Sequence, residues 1–129
     1  MGLLLVDHGS KKAAANAMLE SARDMLAARA GGDVLVEAAH MEIASPSIED
    51  GIVKLAGRGL DLIVVAPFFL SPGRHVTQDI PQLVREAEER VNADGSRERP
   101  LEVRIADPIG LHPMVADIIM DRVGAATTS

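Results

Sequence analysis

Leu62-Ile63-Val64-Val65-Ala66 is an unbroken apolar run, and its reading decides the fold. A strand with one wet face alternates apolar and polar residues. A run without alternation fits a strand covered on both faces, as in a parallel sheet flanked by helices. Gly57-Arg58-Gly59 precedes the run and Pro67 follows it, so turn residues bound it on both sides. The same unit recurs outward in both directions. Gly2–Val6 reads as a first strand, followed by a helical stripe of Ala15, Met18, Leu19, Ala22, Met25 and Leu26 that stops at Gly31-Gly32. A second strand lies near Val34–Ala39. Ser45 then reads as an N-cap with Pro46 at the first helical position, and the helix carries Ile48, Ile52, Val53, Leu55 and Ala56. Beyond the central run, Pro67, Pro72 and Gly73 punctuate a loop. The spacing predicts a helix from about Asp79 to Val91 with Pro81 in its first turn. Asn92–Pro100 is a polar connection, Leu101–Ala106 a fourth strand, and His112-Pro113 opens the last helix with His112 as N-cap.

Strands alternating with helices imply right-handed parallel βαβ units. The expected fold is α/β: a three-layer sandwich with a four-stranded parallel sheet of order 2-1-3-4 and helices on both faces. Residues 1–123 are expected to form one domain, with 124–129 a flexible tail.

Composition narrows the function. Of 129 residues, 47% are apolar but only two are Phe, and Trp and Tyr are absent, so the core is aliphatic. There is no cysteine, which removes disulfides, thiolate metal ligands, iron–sulfur ligation and thiol catalysis. The apolar run Leu3–Val6 is too short for a signal peptide. No stretch approaches the roughly 20 apolar residues of a membrane span. A cytoplasmic protein is expected. The net charge of −6 argues against a nucleic-acid partner. An anionic ligand would need locally placed cations or helix N-termini.

All four histidines fall at or just after the end of a strand: His8, His40, His75 and His112. In a parallel sheet these points share the carboxyl edge, where ligands bind. Imidazole is the commonest protein metal ligand and titrates near neutral pH. In Asp7-His8-Gly9-Ser10, Gly9 permits a tight turn and Ser10 can cap the helix, leaving N–H groups that attract an anion. His8 either caps and packs that turn or faces a ligand. A histidine phosphatase would want an Arg before the His; Asp7 would repel phosphate. His40 and Glu42 share one side by alternation. Glu42 stands among Met41, Ile43 and Ala44, where partial burial would suit it to accept a proton. His40 reads better as a hydrogen-bonded structural residue. Pro67-Phe68-Phe69-Leu70-Ser71-Pro72-Gly73-Arg74-His75 holds both phenylalanines beside two prolines and a glycine. It makes a good wall for a flat apolar ligand with acidic edges. Arg74 could clamp a carboxylate and His75 bind a metal.

From Gly2 to Val123 the sequence resembles the small sirohydrochlorin chelatases of CbiX and SirB type, with plant-type sirohydrochlorin ferrochelatases the best likeness. The resemblance rests on Val6-Asp7-His8-Gly9-Ser10 with Asn16, on Ala39-His40-Met41-Glu42-Ile43-Ala44 with Pro46-Ser47-Ile48, and on Pro67-Phe68-Phe69-Leu70, Pro72-Gly73-Arg74-His75 and Gln78-Asp79-Ile80-Pro81. It implies a chelatase-like sandwich that inserts a divalent metal into sirohydrochlorin for sirohaem or cobalamin biosynthesis. The metal would be a substrate, Fe²⁺ or Co²⁺ and conceivably Ni²⁺, with no organic cofactor. Some relatives hold an iron–sulfur cluster; a chain without cysteine is expected to hold none. By resemblance, His8, Glu42 and His75 form the catalytic and metal-binding set, and His8 or Glu42 accepts the pyrrole protons. Ser10, Ser45, Leu70, Ser71, Pro72, Gly73 and Arg74 would position the substrate. Longer relatives fuse two such units, so a single unit is expected to pair as a homodimer. The competing readings are a non-catalytic tetrapyrrole or metal carrier and a metal-dependent hydrolase. The hydrolase would want more carboxylate ligands than one Glu supplies.

Overall fold

The computed structural model describes residues 1–71 and 73–128, with the backbone alone at His75 and Val76. Its elements run β1 (Gly2–Asp7), α1 (Ala13–Ala30), β2 (Leu35–His40), α2 (Ile48–Ala56), β3 (Leu62–Pro67), a π-helical turn (His75–Asp79), α3 (Ile80–Ala93), β4 (Glu102–Ile105) and α4 (Pro113–Thr127). The strands form one parallel sheet of order β2-β1-β3-β4, the expected order.

The two faces of the sheet are unequal. On one, α2 and α3 cover Leu4, Val6, Ile63 and Val65 with Ile48, Ile52, Leu55, Ile80, Val84 and Ala87, all buried. Gly51 lets α2 approach closely, because a Cβ there would meet Leu4 Cδ1 at 2.5 Å. On the other face α1 supplies Leu19 to a small cluster with Leu5 and Ala38. The fourth helix joins neither core, and none of its side chains is buried. None of the described helices is long and apolar enough to cross a membrane.

The start of α2 differs from the sequence reading, and the start of α3 agrees with it. Ser45 does not cap α2. Ser47 does, accepting from the Asp50 N–H while the Asp50 carboxylate accepts from the Ser47 N–H. The capping box wins because it satisfies two end donors at once; Ser45-Pro46, joined by a cis peptide, lies in the loop before it. Pro81 is accommodated in the first turn of α3, and a π-helical turn precedes that helix. At the other end, α4 continues through Gly124 to Thr127 instead of ending in a tail at 124. Ala125 and Ala126 are strong helix formers, and one exposed glycine costs only about 1 kcal/mol. Ser129 lies outside the described residues.

Ser47→Ala should lower the unfolding free energy in urea by about 1 kcal/mol, while Ser45→Ala should change it by less than about 0.5 kcal/mol. Equal losses in the two variants would contradict this placement of the cap.

Candidate active site

β1 and β2 pair in register to Asp7 opposite His40. Two more bonds carry the ladder beyond the strands. The Met41 N–H donates to the Asp7 carbonyl (2.8 Å), and the Glu42 N–H to the His8 carbonyl (3.1 Å). The second bond brings Glu42 alongside His8, and their side chains meet, His8 Nε2 to Glu42 Oε1 at 3.1 Å. Gly9 is required there. Its φ is +95°, and a Cβ would lie 1.9 Å from the Glu42 carbonyl oxygen.

The turn that follows is held by Asn16. Its side-chain amide donates to the Ser10 carbonyl (2.7 Å) and its Oδ1 accepts from the Ser10 N–H (3.0 Å). Ser10 is therefore not the cap of α1. The N-cap position is Lys12, without a side-chain cap, and Ser10 Oγ accepts instead from the Lys12 N–H (3.0 Å).

Beneath the pair lies a second one that sequence reasoning missed. His40, 2% exposed, shares a 2.6 Å contact between its Nδ1 and Asp7 Oδ1. Asp7 orients His40, not its neighbour His8. A buried imidazole needs a partner for its ring nitrogen, and the parallel register that puts position 7 opposite position 40 was the available signal. The shared side assigned to His40 and Glu42 by alternation does not survive, because β2 ends at His40. His40 turns into the protein and Glu42 outward.

Glu42 is exposed, with 52% of its side-chain surface open against 39% for His8. The expected partial burial of Glu42 is thus not found. Phe68 and Phe69 are half-buried and lean on opposite cores of the sheet, so they anchor the β3 loop more than they line it. Leu70, Ser71, Gly73 and Arg74 are exposed at the carboxyl edge. The His75 backbone opens the π-helical turn; its side chain, like the whole of Pro72, lies outside the described residues. Ser45 is exposed in the loop after Glu42. His112 caps α4 as expected, Nδ1 accepting from the Met114 N–H (3.1 Å).

A cleft of about 370 Å³ lies beside Glu42, lined by Met41, Asp79, Gln82 and Leu83. Another, of about 290 Å³, lies between the C-terminal ends of α2 and α3, at the far edge of the sheet. Its Arg97 already donates to the carbonyls of Ala56 and Leu60, so it serves to hold the end of α2.

The chemistry of the His8–Glu42 pair follows from its spacing. Two ligands on one ion, with bonds of about 2.1 Å at right angles, are about 3 Å apart. At 3.1 Å the imidazole and carboxylate are within hydrogen-bonding distance, and the same spacing suits two ligands of one divalent ion. Among the described residues no third His, Asp or Glu completes a metal-binding group.

A one-sheet α/β domain with an imidazole–carboxylate pair on the carboxyl edge of its strands is a ligand-edge domain of the kind such sheets build. The CbiX family model matches residues 2–126, and the chain belongs to that family. It is 38% identical over 122 residues to the chloroplastic sirohydrochlorin ferrochelatase of Arabidopsis thaliana, covering 95% of this chain and 51% of the plant protein. It is 33% identical over 129 residues to a sirohydrochlorin cobaltochelatase of Methanosarcina acetivorans, covering 98% of this chain and 96% of that one. The chain thus spans about half of the plant relative and nearly all of the archaeal one. The crystal structure of a CbiX protein from Marinobacter aquaeolei VT8 superposes with a TM-score of 0.76 at 26% identity, covering 97% of this chain and 95% of the other.

His40→Ala should destabilise the protein by about 2–3 kcal/mol, since it leaves the Asp7 carboxylate without its partner in a half-buried site. Thermal denaturation checks this; a loss below about 0.5 kcal/mol would mean the pair is dispensable to the fold.

Proposed function

We propose that this chain is a sirohydrochlorin chelatase, inserting Fe²⁺ or Co²⁺ into the tetrapyrrole to make sirohaem or a cobalt precursor of cobalamin. The observation that carries the reading is the His8–Glu42 pair at the ligand edge (3.1 Å). It agrees with the names of the ferrochelatase and cobaltochelatase relatives. Insertion makes three demands. The metal must be held by few ligands, so that it can leave. Two pyrrole N–H protons must be accepted. The macrocycle must rest against the edge with its carboxylates satisfied.

In this reading His8 and His75 hold the incoming ion and Glu42 guides it. The His8–Glu42 pair then takes the displaced protons as the ion passes into the ring. Exposure suits the task, because an ion bound by one imidazole or two and a carboxylate keeps open coordination positions. Imidazole and carboxylate suit iron, cobalt and nickel alike, so geometry and supply set the choice. Leu70–Gly73 and Arg74 line the tetrapyrrole, and Arg74 meets a carboxylate with its fork of donors. Without cysteine, the chain works without an iron–sulfur cluster.

A homodimer belongs to the same proposal. Met114, Ile118, Ile119, Met120 and Val123 on α4 are 46–65% exposed, as is Met18 on α1. A run of large apolar side chains of this extent on one helix marks a contact surface. A second copy, presenting the same apolar surface across a two-fold axis, is the fitting partner.

Anaerobic mixing of the protein with sirohydrochlorin and Co²⁺ should accelerate the absorbance change of metal insertion through many turnovers. His8→Ala should slow it about 100-fold or more and Glu42→Gln about tenfold or more, the range for losing a positioned base. His75→Ala should impair it strongly with the fold intact. Stoichiometric tetrapyrrole binding without turnover would favour the carrier reading instead. In sedimentation, the wild type should run as a dimer and Ile118→Asp as a monomer; a monomeric wild type removes the homodimer.

A further inference from the structure

We infer that Ile43 is a substrate-contacting residue, held by a strained turn so that its side chain projects from the ligand edge toward the face of the macrocycle. The inference rests on the chelatase reading for the identity of the ring. Ile43 has a φ of +73° and is the only residue other than glycine at positive φ among the described residues. The Ala44 N–H donates to the Glu42 carbonyl (2.8 Å), so Ile43 is the central residue of a γ-turn at positive φ. That turn is rare and strained even for ordinary residues. A β-branched side chain is among the worst to put there, and glycine or asparagine the usual choice. Strain of this kind persists where the surrounding structure enforces it, and it gathers at ligand sites.

Packing within the chain does not explain the residue. Ile43 is 58% exposed. The loop that carries it is closed at its base by the bond from the His40 N–H to the Pro46 carbonyl (2.8 Å) and pinned on the near side by Gly9 against the Glu42 carbonyl. The strained residue directly follows Glu42, partner of His8. Its position also has counterparts. The loops after β3 and β4 each put large apolar side chains in solvent at the same edge: Leu70 at 66% exposed, Ile109 at 42% and Leu111 at 101%. The sheet order puts β1 between β2 and β3, so the Ile43 and Leu70 loops flank His8 on its two sides. Neighbouring strands are about 4.8 Å apart, which separates those loops by about 10 Å. Apolar side chains flanking a polar, proton-accepting pair suit a flat ring whose polar atoms lie at its centre.

The test compares Ile43→Gly and Ile43→Val with the wild type by three readouts. They are the melting temperature, the dissociation constant for metal-free sirohydrochlorin from absorbance titration, and the affinity for Co²⁺ alone. Glycine removes both the strain and the contact, so Ile43→Gly should melt no lower than the wild type, yet bind sirohydrochlorin about tenfold more weakly, the scale for losing an apolar side chain of this size. Its Co²⁺ affinity should stay within twofold, and Ile43→Val should restore most of the tetrapyrrole binding. Unchanged tetrapyrrole affinity in Ile43→Gly overturns the inference. So does a weakening accompanied by a fall in melting temperature that Ile43→Val does not repair, since Ile43 would then be holding the loop. The titration needs no turnover, so a carrier that never inserts metal would sink the chelatase reading and leave this result legible. Failure of the wild type to bind sirohydrochlorin at all removes both.

Discussion

Two backbone hydrogen bonds beyond the last paired residues of β1 and β2 govern everything at the ligand edge. By donating from Met41 to Asp7 and from Glu42 to His8, the chain extends a parallel ladder into what would otherwise be two loops. Side chains in a ladder are fixed by register, and a slip of one residue would carry Glu42 away from His8. The register is locked from below by the buried His40–Asp7 contact and from the side by Gly9, which leaves no room for a Cβ against the Glu42 carbonyl. The exposed pair contributes little to stability, as surface ion pairs do. Its geometry is maintained by buried groups that never reach the ligand.

That division explains what could be read from the chain. The alternation of elements and the His112 cap followed from apolar runs and turn residues, because burial of aliphatic strands is a local signal with a simple period; the sheet order was expected but is not fixed by those runs. The bringing together of His8 and Glu42 was legible only through their position at strand ends. Other features depend on tertiary neighbours. Asp7 stands next to His8 in sequence, yet the register sets it against His40. Ser45 and Ser47 both precede a helical pattern, and only the carboxylate of Asp50, three residues past Ser47, decides between them. Arg97 sits in an anonymous polar connection, yet it closes the end of α2 by bonding the carbonyls of Ala56 and Leu60. No periodicity forecasts the backbone of Ile43.

A transfer site has to differ from a storage site, and in the proposed function the exposure of the His8–Glu42 pair supplies that difference. A metal ion enclosed by four protein ligands is held as structure. An ion met at an exposed edge by a small donor set exchanges its remaining positions with water, and then with the nitrogens of an arriving ring. In the proposed function, the contact that would receive the ion is a hydrogen-bond-length imidazole–carboxylate pair. Metal arrival and proton removal are thereby linked at one pair of atoms in the proposed reaction.

The unequal faces of the sheet connect this edge to the proposed assembly. On one side α2 and α3 seal a continuous aliphatic core, whereas on the other α1 is the one helix that packs with Phe68 over Leu5 and Ala38. A chain of 129 residues has limited core to spare, yet it leaves the apolar residues of α4 in solvent. A second copy set against α4 would remove that surface from water, at about 25 cal/mol per Å² of apolar area. It would act on the segment that begins just after the β4 loop, where Ile109 and Leu111 lie at the carboxyl edge. Association and the shape of the ligand edge are therefore not independent. Whatever fixes α4 also fixes the root of the loop that borders the site, and a chain that pairs through this helix would shape its tetrapyrrole platform as it pairs.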